Sequence, residues 1–130
     1  MNILLVEDNP ADVRLVQEML KDVQFPTFLS TVDDGEQALA FLRRQGQYRD
    51  APRPDFILLD LYLPQKDGYE VLLELRRDPA LRGIPVALCL GSEHEKERLE
   101  AYDISANCLF IKSFDPERLA QIFFGCRAAA

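Results

Sequence analysis

The sequence predicts an α/β domain in which helices cover both faces of a five-stranded parallel sheet. Two observations carry that reading. Five short apolar runs alternate with five segments of helical period along the 130 residues, and this alternation requires parallel crossovers. The runs are also nearly continuous in apolar residues, as suits strands buried on both sides.

The elements follow in order. Ile3-Leu4-Leu5-Val6 marks a first strand over 2–6, and Asn9-Pro10 then sets an N-cap before a proline at the first position of a helix over 10–22. A second strand spans 27–32. Asp34-x-x-Gln37, a variant of the capping box, opens a helix over 35–46. Gln45 to Pro54 reads as a long, polar and flexible connection. Phe56-Ile57-Leu58-Leu59-Asp60 forms the third strand (55–60), and Asp67-x-x-Glu70 opens a helix over 68–78. The fourth strand spans 85–90, and Ser92-x-x-Glu95 opens a helix over 93–103 whose charge-dense Glu93–Glu100 stretch is a solvated face. Cys108-Leu109-Phe110-Ile111 is the fifth strand, and Asp115-Pro116 opens the last helix, over 115–127. Its Leu119, Ile122, Phe123 and Phe124 are mostly core, but Phe123 and Phe124 are adjacent and cannot both face inward, which leaves one for a partner.

Residues 1–127 are expected to form one domain, with Ala128–Ala130 a fraying helix end or an appended remnant. The composition, 48% hydrophobic and 28% charged, is that of an ordinary soluble globular protein. A net charge of −7 argues against nonspecific nucleic-acid binding. Cys89, Cys108 and Cys126 are odd in number, lie in apolar surroundings and have no zinc spacing, which reads as reduced thiols in the cytosol. His94, the only histidine, is expected on an exposed helix face without a metal partner. The chain opens on a strand and has no membrane-length apolar run, so neither a signal peptide nor a membrane span is expected. A cytoplasmic domain is the expectation.

Function is legible at the strand ends. In open α/β sheets ligands bind outside the carboxyl ends of the strands. Glu7 and Asp8 follow the first strand, Asp60 closes the third and Lys112 follows the fifth. Asp60 alone would pass for a turn residue, but acids and a lysine at matching strand ends make a site. Clustered carboxylates stay ionised together only with a cation among them, and an all-oxygen donor set suits Mg²⁺. Lys112 adds a positive point charge for a phosphoryl oxygen, and an aspartate can attack phosphorus to give an acyl phosphate. The pattern predicts a Mg²⁺-dependent, phosphoryl-accepting Asp60.

Val-Glu-Asp-Asn-Pro-Ala-Asp at 6–12, Leu-Leu-Asp-Leu-x-Leu-Pro-x-x-Asp-Gly at 58–68 and Ile-Lys at 111–112 resemble the receiver domain of two-component response regulators. The similarity extends over nearly the whole chain. More narrowly, Asp8–Leu15, the long loop ending Arg53-Pro54-Asp55 and Tyr102-Asp103-x-x-Ala106-Asn107-Cys108 resemble single-domain regulators that partner bacterial and cyanobacterial phytochromes. The resemblance implies a flavodoxin-like (βα)5 three-layer sandwich with strand order 2-1-3-4-5. It also implies that Asp60 is both the phosphoacceptor and a Mg²⁺ ligand, that Asp8 ligates Mg²⁺ directly and that Glu7 acts through metal-bound water. The Tyr62 carbonyl would complete the protein ligands, Lys112 would contact the phosphoryl group, and Gly91 would keep the pocket open. Implied partners are a sensor histidine kinase or phosphotransfer protein, a downstream protein target and a second copy docked through residues 93–127. Neither nucleic acid nor membrane is implied.

Three positions depart from the family pattern. Leu90 stands at the end of the fourth strand, where the pattern has a Thr or Ser hydroxyl for the phosphoryl group. Leu109 replaces the aromatic residue three positions before the lysine that reports the phosphorylated state. Ser113 replaces a proline that typically follows a cis bond; for a non-proline residue that bond costs about 3–4 kcal/mol, so a rearranged loop with Lys112 less firmly placed is expected. Ser92 is either a helix N-cap or a substitute for the missing hydroxyl. Two functions stand on these observations: a stand-alone regulator that takes a phosphoryl group from a kinase histidine onto Asp60, catalysing only its own phosphorylation and dephosphorylation, and signals through partner or dimer exchange; and a degenerate receiver that docks partners independently of phosphorylation. A dehalogenase-like phosphatase would need its nucleophile on the first strand and a second acid two positions on, where Tyr62 stands after Asp60. Phosphate-loop and dinucleotide-binding glycine patterns are absent from the sequence.

Overall fold

The computed structural model describes residues 1–21, 26–60, 68–90 and 108–111. Five parallel strands form one sheet: β1 (Asn2–Val6), β2 (Phe28–Val32), β3 (Phe56–Asp60), β4 (Val86–Leu90) and β5 (Cys108–Ile111). Their order is β2-β1-β3-β4-β5, the doubly wound, flavodoxin-like arrangement expected from the sequence. Each strand lies within one residue of its predicted span. The described helices are α1 (Pro10–Lys21), α2 (Gly35–Leu42) and α3 (Gly68–Arg77). The helices predicted over 93–103 and 115–127, and the capping residues Asp67, Ser92 and Asp115, lie outside the described residues.

Alternation along the strands divides the core into two layers. Ile3, Leu5, Phe56 and Leu58 face α1 and pack with its Val16, Met19 and Leu20. Leu4, Val6, Ile57 and Leu59 face the other way and pack with Ala38, Leu39 and Phe41 of α2 and Val71, Leu72 and Leu75 of α3. Every residue of β3 is buried, because both its faces are covered and it has a strand on either side. β2 lies at the sheet edge, and only Val32 of it is buried.

The helix starts follow the sequence signals. Asn9 Oδ1 accepts the Ala11 N–H at 2.9 Å, which satisfies an orphan donor at the start of α1 while Pro10 occupies the first turn. Asp34 Oδ1 accepts the Gln37 N–H at 2.8 Å at the start of α2. The reciprocal half of that capping box is replaced. Gln37 Nε2 instead donates to the carboxylates of Asp33 and Asp34, at 2.6 and 3.0 Å. Charged acceptors make the stronger bond to an amide N–H, and a side-chain amide has N–H groups to offer them.

The same glutamine anchors the connection expected to be flexible. Gln37 Oε1 accepts the Tyr48 hydroxyl at 2.8 Å, and the Tyr48 ring tilts against Phe41 with centroids 5.4 Å apart. Gly46–Tyr48 winds into a 3₁₀ turn, Pro54 is buried, and the Arg53 guanidinium donates to the Ala80 carbonyl at 2.8 Å. The polar composition of 45–54 concealed these anchors.

α2 ends at Leu42, short of the predicted residue 46. Arg44 takes a left-handed conformation (φ 52°); its N–H reaches the Phe41 carbonyl at 3.2 Å, and the Gln45 N–H reaches the Ala40 carbonyl at 2.9 Å. These two bonds form a Schellman closure, in which the left-handed position is usually glycine. Here it is arginine, so the stop was not legible. Arg44→Gly is expected to stabilise the fold by about 1 kcal/mol by relieving the Cβ clash. Chemical denaturation would then show a higher midpoint with an unchanged slope.

Candidate functional site

β1 and β3 are neighbours in the sheet, and their last aligned pair is Val6 with Leu59. One step further along the same register stand Glu7 and Asp60, at a strand spacing of about 4.8 Å. The Glu7 N–H extends the β1–β2 ladder by donating to the Val32 carbonyl at 3.0 Å. Glu7 Oε1 accepts the Asn9 N–H at 3.3 Å, which ties the turn into α1 to the acidic cluster. Asp8, between them, is exposed.

Glu7, Asp8 and Asp60 each offer a carboxylate oxygen, and these three atoms lie within 4.8 Å of one another. Glu7 and Asp60 are nearly sealed from solvent, at 3% and 5% exposure. Two ionised carboxylates at that spacing repel by on the order of 3 kcal/mol at an effective dielectric of about 20. A divalent cation among them offsets that repulsion. The three clustered donors are carboxylate oxygens, a set that fits a hard ion that keeps part of its water shell.

Beside Glu7 and Asp8 opens a cleft of about 340 Å³, walled by Val13, Thr31, Asp33 and Gln37. Asp33 is the residue that sequence reasoning overlooked. It directly follows the last residue of β2, so the strand-end rule that singled out Glu7, Asp8 and Asp60 applies to it equally. Gln37 fixes its carboxylate on the rim of the cleft.

The remaining predicted positions are placed only in part. Leu90 is the last residue of β4 and aligns with Ile111, and Leu109 aligns with Leu88. The backbone therefore puts Leu90 at the strand end where the sequence placed it; the side chains of Leu90 and Leu109 lie outside the description. Tyr62, Gly91, Ser92, Lys112 and Ser113 are outside the described residues altogether. Among the described residues, no helix is long and apolar enough to cross a membrane.

If the acidic cluster holds a divalent ion, the protein is stabilised by mass action. Mg²⁺ at a hundredfold excess over its dissociation constant should add about 2.7 kcal/mol. Thermal melts in EDTA and in MgCl₂ measure this shift, and Asp8→Asn should remove most of it.

Comparison with known proteins agrees with this geometry. The response regulator Rcp1 of Synechocystis sp. is 49% identical over 111 residues, which cover 85% of this chain and 76% of that protein. The crystal structure of the phosphorylated cyanobacterial phytochrome response regulator RcpA superposes with a TM-score of 0.80 at 48% identity, covering 95% of this chain and 89% of that one. The Mn²⁺-bound form of Rcp1 superposes with a TM-score of 0.80 at 44% identity, covering 98% of this chain and 91% of that one. Residues 3–124 match the model of the response regulator receiver domain, and the chain belongs to that family.

Proposed function

We propose that this chain is a single-domain response regulator that accepts a phosphoryl group from a sensor histidine kinase onto Asp60. The observation that carries the reading is the buried Asp60 carboxylate at the end of β3, with Glu7 and Asp8 oxygens within 4.8 Å. A carboxylate oxygen of Asp60 attacks the phosphorus of a kinase phosphohistidine in line with the scissile P–N bond. The new P–O bond makes an aspartyl phosphate. The imidazole nitrogen leaves with the P–N electron pair and regains a proton from solvent or from the kinase. Asp8 and Asp60 would hold a Mg²⁺ ion directly, with Glu7 acting through water and the Tyr62 carbonyl completing the set, and the bound ion would neutralise phosphoryl charge. Lys112, which follows the last residue of β5, would pair with a phosphoryl oxygen. Water later cleaves the same acyl phosphate, so the domain catalyses only its own phosphorylation and dephosphorylation.

Similarity to the cyanobacterial phytochrome response regulator RcpA supports a phytochrome-type kinase as donor. A cytoplasmic location, a downstream protein target and a homodimer through residues 93–127 belong to the same proposal. A second reading, a receiver that docks partners without phosphorylation, is favoured by Leu90 at the end of β4 and Leu109 on β5. Incubation with acetyl phosphate and Mg²⁺, followed by intact mass measurement and size-exclusion chromatography, separates the two. One phosphoryl mass gained, with a change in oligomeric state, supports signalling. No mass gain sinks the phosphoacceptor reading, and full labelling without any change of association or partner binding favours the docking reading.

A further inference from the structure

The parallel topology sorts charge to opposite ends of the molecule. At the carboxyl ends of the strands stand Glu7, Asp8, Asp33, Asp34 and Asp60. At the other end, where helices terminate and chains re-enter the sheet, lie seven of the eight described arginines, all between Arg43 and Arg82. Asp50, Asp55, Glu74 and Asp78 share that region, so the arginines outnumber the acids there although the whole chain carries a net charge of −7.

A cleft of about 410 Å³ opens within this basic end. Leu42, Arg43, Arg44, Arg53, Asp78 and Leu81 line it. Arg43 Nε lies 3.7 Å from Asp78 Oδ2, and the Arg53 guanidinium is held by the Ala80 carbonyl at 2.8 Å, so both line the cleft. Arg44 differs. It is exposed, and among the described residues no ion pair or side-chain hydrogen bond engages it. Its backbone also takes the left-handed conformation that glycine would take without strain (φ 52°). Strain of that kind at a non-glycine residue points to a use for the side chain.

From this arrangement we infer that the cleft between the end of α2 and the loop before β4 is a docking site for a short acidic segment of a partner protein, one with an apolar residue among its carboxylates. Guanidiniums pair with carboxylates through two parallel hydrogen bonds, and half-buried Leu42 gives the apolar residue a place to bury. The occupant is a protein segment and not a nucleic acid or an anionic membrane. A polyanion needs a long track of cations, and this chain's net charge repels one as a whole. A short segment meets only the local basic field, which also orients its approach. The site lies at the opposite end from Asp60 and does not depend on phosphate acceptance.

Arg44→Gly tests the inference cleanly, because it deletes the guanidinium while relieving the backbone. The probe is a fluorescein-labelled peptide, Glu-Asp-Leu-Glu-Asp-Asp, followed by fluorescence anisotropy at low and high salt. Wild type should bind it in a salt-sensitive way and ignore the amide analogue Gln-Asn-Leu-Gln-Asn-Asn. Arg44→Gly should bind about tenfold more weakly while melting at a higher temperature, and Arg44→Lys should recover part of the affinity. Equal binding by Arg44→Gly, equal binding of the amide analogue, or tighter binding of a single-stranded oligonucleotide would each overturn the proposal.

Discussion

Asp60→Asn is expected to abolish phosphoryl uptake from acetyl phosphate and formation of a beryllofluoride adduct, while raising the melting temperature in EDTA. An amide oxygen is a far poorer nucleophile than a carboxylate, so the chemical loss should be complete within detection. The stability gain has a separate cause. Asp60 and Glu7 are both nearly sealed from solvent and lie within 4.8 Å of each other's oxygens and those of Asp8, so removing one charge relieves repulsion that the metal-free protein must carry. In Mg²⁺ the order of melting temperatures should narrow or reverse, because the variant loses a ligand. Labelling of the variant at the wild-type level would remove Asp60 from the phosphoacceptor role. An unchanged melt in EDTA would show that the repulsion is already offset within the chain.

Leu58→Ala should be a severely damaging truncation of the described core, costing about 3–4 kcal/mol. Leu58 is fully buried on the α1 face between Ile3, Leu5 and Ala87, in a strand flanked on both sides, so little can collapse into the space left behind. Total stability of such a domain is about 5–15 kcal/mol, so the variant would stand near unfolding. Phe28→Ala removes a larger side chain, yet Phe28 is 66% exposed on the edge strand and its loss should cost under about 1 kcal/mol. Urea titration of the two variants checks the contrast. A loss at position 28 equal to that at 58 would mean that the edge strand is covered in solution.

The strands and the acidic cluster were legible because one rule governs both. A strand buried on two faces has to be written as an uninterrupted apolar run, and the first charge at its close marks the end of the strand. That is how Val6-Glu7-Asp8 and Leu59-Asp60 gave both a boundary and a site. The start of α1 was legible because an Asn-Pro pair has a local physical meaning at a helix N-terminus. What remained hidden depends on partners distant in sequence. The stop of α2 is a backbone closure around an arginine where a glycine would have advertised it. Tyr48 reads as part of a polar loop until Gln37 and Phe41 are brought beneath it. The arginines at 43, 44 and 53 form a cleft only because parallel crossovers return each helix end to the same side of the sheet.

The pairing of β1 with β3 also bears on how the chain is made. β1 precedes the other described strands in synthesis and can meet β2 as soon as the intervening helix has formed. Its other edge stays open until Phe56–Asp60 has been synthesised, and for that interval Ile3, Leu4 and Leu5 lack half their neighbours. Apolar strand surface left open until β3 has cleared the ribosome is exposed to aggregation and to chaperones, and slower translation before that point would lengthen the exposure.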